Sequence, residues 1–172
     1  NGLDKHIALM DGKVPYTDPM LTPVFDKWND LIKAGFFSPS HSSFGWEQAG
    51  AALAQKKAAM MDLGGFVRSA FPEADLPQLA YAPFPEIVPG VARYEEGAIP
   101  PRNDCPPSKD PLVNAAVEEL KKVVGTSQYY DRDTDPDMAQ EGMAGLQEFM
   151  VKPERREQIL KRLEKTRKRI FG

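Results

Sequence analysis

The chain has 172 residues, with 41% apolar and 27% charged side chains and a net charge of −3. This composition is that of a globular chain and not a disordered one. No apolar run approaches the ~20 residues of a membrane-spanning helix. The single cysteine, Cys105, excludes an internal disulfide framework and a cysteine-based zinc site.

Taken in chain order, "LDKHIALMDG" predicts a short helix ended by Gly12. "YTDPMLTPVFDKWNDLIKAGFF" predicts a longer one, with Thr17 or Asp18 as cap, Pro19 in the first turn and Gly35 as the stop. Its apolar face holds Leu21, Val24, Phe25, Trp28, Leu31 and Ile32, so Trp28 reads as a core residue. "SPSHSSFG" is a loop, and "WEQAGAALAQKK" is an alanine-rich helix. "AAMMDL" is expected to be a strand, although its residues are poor β formers.

Gly64 and Gly65 then form a turn, where glycine supplies either φ > 0 or a close backbone approach. "FVRSAF" starts a short helix that Pro72 closes. "LAYAPFP" is expected as a second strand and "GVARYEE" as a third. "DPLVNAAVEELKKVV" is a helix capped by Asp110, and "TSQYYDRDTDP" is a loop. "DPDMAQEGMAGLQEFMV" is a helix capped by Asp135, with Met138, Met143, Leu146, Phe149 and Met150 inward. A basic helix follows Pro153, with Ile159, Leu160, Leu163 and Ile170 at helical spacing.

Three stretches organise the chain: an α/β lobe core over 1–98, a proline-rich connection over 99–110, and a closing helical segment over 111–172 packed on the same lobe. The fold class is α/β, helix-rich, with a small sheet and flanking helices.

Residues 151–172 hold nine Lys and Arg against Glu154, Glu157 and Glu164. A basic run reads either as a nucleic-acid or lipid contact or as a solvated helix face. The solvated face is favoured, because Phe171 is the one aromatic available for base stacking. "DRDTDPD" lacks the glycine and the closing glutamate of a calcium loop. His6 and His41 lack partners at ligand spacing, so no metal is expected. No phosphate loop, nucleophile elbow or Cys/His arrangement is present. Glu95 and Glu96 are adjacent on an expected strand and point to opposite faces, so they cannot form a glycosidase pair. No cofactor and no enzymatic activity are expected.

"GKVPYTDPMLTPVFDKWNDLIKAGFF", "SSFGWEQAGAALAQKKAAMMDLGGFV", "FPEADLPQLAYAPFPEIVPGV" and the ending from "YYDRDTDPDMAQ" resemble, in that order, the extracellular solute-binding proteins of sugar ABC transporters, family 1 type. The resemblance implies a lobe like those of type II periplasmic binding proteins. It implies a partner lobe, a small-molecule sugar as ligand, a membrane permease as recipient, and a periplasmic or extracellular location. The chain is less than half the length this family implies, so it is expected to be the C-terminal lobe or a fragment of one.

The same resemblance places Trp46 and Phe66 at the sugar cleft, where an aromatic face packs on sugar C–H groups. Gly64 and Gly65 would bring backbone near the ligand, and Glu95 or Glu96 would accept sugar hydroxyls. Each has a structural alternative: Phe66 as a core staple, Trp46 packed under the loop, and the two glutamates on a solvated strand end. A second reading is an isolated lobe that self-associates through its exposed cleft face, as a homodimer or with a protein partner.

Overall fold

The computed structural model describes residues 2–39, 41–80, 109, 111–122, 127 and 130–172, without the side chains of Phe66, Leu112 and Leu120. Two compact units divide the chain. Unit 1 joins both ends, Asn1–Ser42 and Ser127–Gly172, and unit 2 is Ser43–Thr126. The unit boundaries therefore fall near 42 and 126.

Unit 1 is helical. Helix α1 (Leu3–Met10) ends before Gly12, whose φ of +69° needs a residue without a Cβ. Asp18 accepts a hydrogen bond from the Met20 N–H at 2.8 Å and caps a 3-10 turn, Pro19–Leu21. That turn runs into α2 (Thr22–Lys33), and Gly35 at φ +71° reverses the chain after it. Helix α5 (Tyr130–Asp133) occupies part of the stretch expected to be a loop. The Thr134 hydroxyl donates to the Met10 carbonyl at 2.8 Å and ties this stretch to α1. Helix α6 (Pro136–Val151) is capped by Asp135, which accepts from Asp137 N–H at 2.9 Å. A 3-10 turn, Pro153–Arg155, leads into α7 (Arg156–Phe171).

The core of unit 1 gathers Tyr16, Leu21, Phe25, Met138, Phe149, Ile159 and Leu163, with Leu9, Trp28 and Leu146 packed around it. Phe25 meets Phe149 edge to face, with ring centroids 4.8 Å apart. Met138, Phe149, Ile159 and Leu163 are fully buried, and each is worth ~1.5–3 kcal/mol. The closing helices thus seal onto α1 and α2 instead of trailing. Gly145 lets α6 approach α7, because a Cβ there would stand 3.0 Å from Ile159 Cγ2.

Three inward assignments on these helices are corrected. Met143 is exposed, as are Val24 and Leu31 on α2. The buried face of α6 turns instead through Met138, Ala139, Gly142, Gly145 and Phe149.

Unit 2 holds α3 (Trp46–Ala54), 3-10 helices Gly65–Ala70 and Glu73–Gln78, and α4 (Pro111–Leu120). Helix α3 packs on the first 3-10 helix, and so does α4. The expected strand at 58–63 does not form; residues 58–64 have no regular secondary structure. Ala, Met and Asp pair poorly in sheets, and no strand exists among the described residues to pair with. The second and third expected strands lie outside the described residues except for Leu79 and Ala80, which are irregular. The connection over 99–110 is described only at Lys109. Among the described residues no strand of the expected small sheet forms.

Candidate functional site

The candidate residues that can be placed belong to unit 2. Gly45 precedes α3, and its N–H donates to Gln48 Oε1 at 2.8 Å, which satisfies one donor at the helix start. Trp46 is the first residue of α3 and is 39% exposed. Phe44, two residues earlier, is 40% exposed. Two aromatic side chains therefore stand partly open to solvent at one helix N-terminus. Glu47 in the same turn suits the positive end of the helix dipole.

Gly64 is buried and caps the 3-10 helix in an extended conformation, φ −68° and ψ 163°. Its glycine is therefore not explained by a positive φ. Gly65 and Phe66 follow in the first turn of that helix, and the direction of the Phe66 side chain lies outside the described residues. Glu95 and Glu96 also lie outside the described residues. The proximity of Phe66 to Trp46 is accordingly defined only at the level of elements.

Close packing joins those two elements. A Cβ on Gly50 of α3 would stand 2.7 Å from Ala70 Cβ and 3.4 Å from Val67 Cγ2. Only a residue lacking a side chain lets the helix and the 3-10 turn meet at this distance. Phe71 is buried at the end of the 3-10 helix. The glycine turn is thereby braced on the helix that carries Trp46.

Asp62 is a further polar residue in this region, outside the set expected from the sequence. Desolvation raises its carboxyl above the usual carboxylate range, though the residue keeps exposed surface. It makes no hydrogen bond among the described residues, so its oxygens are open to a donor. The signal available in sequence was an acid within an apolar run, two positions before Gly64.

The other singled-out polar residues have structural partners in unit 1. His6 Nε2 lies 3.2 Å from Asp133 Oδ2, and His41 Nδ1 lies 2.6 Å from the Ser38 carbonyl. Of the acids in "DRDTDPD", Asp133 pairs with His6, Asp135 caps α6, and Asp137 faces Arg169 at 3.4 Å. Among the described residues no cluster of three His, Cys, Asp or Glu could hold a metal ion. No described helix is long and apolar enough to cross a membrane.

Seven of the nine cations in 151–172 face carboxylates of the same chain. Arg155 and Arg162 converge on Glu148 at 2.6 and 2.8 Å, and Arg156 pairs with Asp26. Arg167 and Lys168 share Glu164 at 2.8 and 3.8 Å, Lys161 faces Glu157 at 3.9 Å, and Arg169 faces Asp137. The basic run is a set of intramolecular clamps.

No family model and no curated protein matches the chain. Over its whole length the chain is similar to a solved structure of the bacterial solute receptor AcbH, at a TM-score of 0.88 and 28% identity. That receptor shows an exclusive substrate preference for β-D-galactopyranose. The chain spans 55% of its length, and carries the fold of that part of a bacterial solute receptor.

Proposed function

We propose that the chain is the sugar-binding lobe of a two-lobed solute-binding protein that delivers its ligand to an ABC permease from the periplasmic or extracellular side. The carrying observation is the full-length likeness, at TM-score 0.88, to a receptor that prefers a galactopyranose. The partly exposed rings of Phe44 and Trp46 support a pyranose ligand, because sugar C–H faces pack on aromatic rings. Asp62, which makes no hydrogen bond among the described residues, supplies an acceptor for ring hydroxyls. Glu95, Glu96 and Phe66 complete the proposed set.

The protein is read as a binder and not an enzyme. Ligand would favour the closed arrangement of two lobes because it contacts both only when they meet. A lobe alone presents half of such a cleft, so its affinity for free sugar is weak.

Tryptophan fluorescence tests the reading. The chain has two tryptophans, and Trp28 packs against Phe149 in the core of unit 1. A Trp28→Phe variant leaves Trp46 as the reporter. Titration with D-galactose, D-glucose and maltose is expected to give a saturable change with one of them. A flat response to all three, with circular dichroism showing a folded protein, contradicts the proposal.

A further inference from the structure

The seven methionines of the chain differ sharply in exposure. Met10 and Met138 are buried, at 3% and 0% exposure. Met20, Met61 and Met150 are partly buried. Met143 on α6 is 49% exposed, and Met60 is 87% exposed. Among the described large apolar side chains, none stands further into solvent than Met60.

The backbone around Met60 is open as well. Helix α3 ends at Ala54, and the chain leaves it through Lys56, at φ +59°. The Lys56 and Lys57 N–H groups donate back to the Leu53 and Ala52 carbonyls, each at 2.9 Å, and close the helix end. Residues 58–64 then have no regular secondary structure. Side chain and backbone are therefore both within reach of another molecule.

A methionine thioether is oxidised at sulfur to a polar, chiral sulfoxide, and access to the sulfur governs how fast this happens in a folded protein. In a core the new oxygen is a buried acceptor without a donor, which destabilises the fold. At Met60 the oxygen is solvated and little packing is lost. Oxidation there changes surface chemistry and leaves the fold intact.

We propose that Met60 is a site of reversible oxidation by hydroperoxides. The sulfur lone pair attacks one peroxide oxygen. The S–O bond forms as the O–O bond breaks, and proton transfer releases the other oxygen as water. Sulfur gives up two electrons and the peroxide takes them. The return step draws two electrons and two protons from a dithiol: the S–O bond breaks, its oxygen leaves as water, and the dithiol becomes a disulfide. Methionine sulfoxide reductases carry out this step, one enzyme for each sulfoxide epimer. The irregular stretch at 58–64 gives them the side chain without prior local unfolding.

The test treats the whole chain with dilute hydrogen peroxide for increasing times and reads each methionine by digestion and mass spectrometry. Met60 is expected to gain oxygen first and Met143 next. Met10 and Met138 are expected to react at least about tenfold more slowly than Met60, because they wait for an opening of the fold. The urea midpoint of protein oxidised at Met60 is expected to be unchanged. Both reductases together, with dithiothreitol as the dithiol, are expected to return Met60 to the thioether. Met60→Leu is expected to remove the fastest phase and to leave the other rates as they were. Oxidation of Met10 or Met138 at the pace of Met60, oxidation of Met143 ahead of Met60, a fall in the urea midpoint on oxidation of Met60, or a sulfoxide that neither enzyme reduces overturns the proposal.

Discussion

The Tyr16 backbone N–H donates to Glu164 Oε2 at 2.9 Å, joining two residues 148 positions apart in the chain. Arg167 donates to both oxygens of the same carboxylate, each at 2.8 Å, and to the Gly12 carbonyl at 2.7 Å. One buried carboxylate thus fastens the turn between α1 and α2 to α7. A charged group is tolerated there because each of its oxygens is satisfied.

Replacing Glu164 by Gln keeps the shape and removes the charge. The expected loss is about 1–3 kcal/mol, the range for a buried hydrogen-bonded charge that loses its partners' complement. Arg167, through hydrogen bonding, is the largest influence holding Glu164 below the usual carboxylate range. A lowered native pKa means that the stabilisation is complete above the unfolded-state value, about 4.3, and is lost as pH falls through the lower native value. Urea midpoints against pH should therefore drop on acidification, and the drop should be shallower in Glu164→Gln. Equal slopes in the two proteins would remove Glu164 from the account.

Tyr130 depends on a glycine. Its hydroxyl lies 2.5 Å from the Tyr16 hydroxyl, and a Cβ on Gly142 would overlap its ring. Burial raises both phenols, so the pair stays protonated across the working range. Gly142→Ala is expected to destabilise by roughly 1–3 kcal/mol through overpacking, although alanine is the better helix former. Adding Tyr130→Ala should recover part of that loss in a double-mutant cycle. Simple additivity of the two changes would show that the clash is not the cause.

Native-state hydrogen exchange separates the two kinds of segment. Amides from Met143 to Phe149 are expected to be protected, since α6 is anchored by Met138 and Phe149 at 0% and 1% exposure. Amides from Ala58 to Leu63 are expected to exchange fast, because no ladder hydrogen bond among the described residues protects them. Protection at 58–63 would restore the strand that the structure lacks.

The clamped cations make a further prediction about the C-terminal run. The whole chain is expected not to shift a DNA or RNA probe at about 0.1 M salt, since phosphate contacts require unengaged Lys and Arg. A salt-dependent shift in a mobility assay would show that the ion pairs to Glu148, Glu164 and Asp26 open at little cost.

The sequence made the helices of unit 1 readable because their signals are local. Asp18 and Asp135 cap, Pro19 and Pro136 start, and Gly12 and Gly35 stop, each by a backbone reason that acts within a few residues. The placement of Met143 was not readable. Both it and Gly142 fit a helical stripe, and the choice between them was made by Tyr130, which needs the glycine's space. Glu164 looked like a surface acid in a charged run, because its partners Tyr16 and Gly12 lie far away in the chain. "AAMMDL" was read as a strand from its apolar run and the glycines after it, but periodicity cannot supply a pairing partner. At the candidate site, the paired glycines mark the turn in the sequence itself, and the resemblance adds Trp46 and the place of the turn at a cleft. Asp62 was not readable, because its desolvation depends on packing.

The central claim is that this lobe recognises a pyranose through Trp46. Isothermal titration of the protein with D-galactose, D-glucose and maltose tests it most directly. The account predicts saturable heat with one of them at a dissociation constant of about 1 mM or below, equivalent to about 4 kcal/mol, and loss of that heat in Trp46→Ala. No heat from any of the three with folded protein, or heat unchanged by Trp46→Ala, would contradict it.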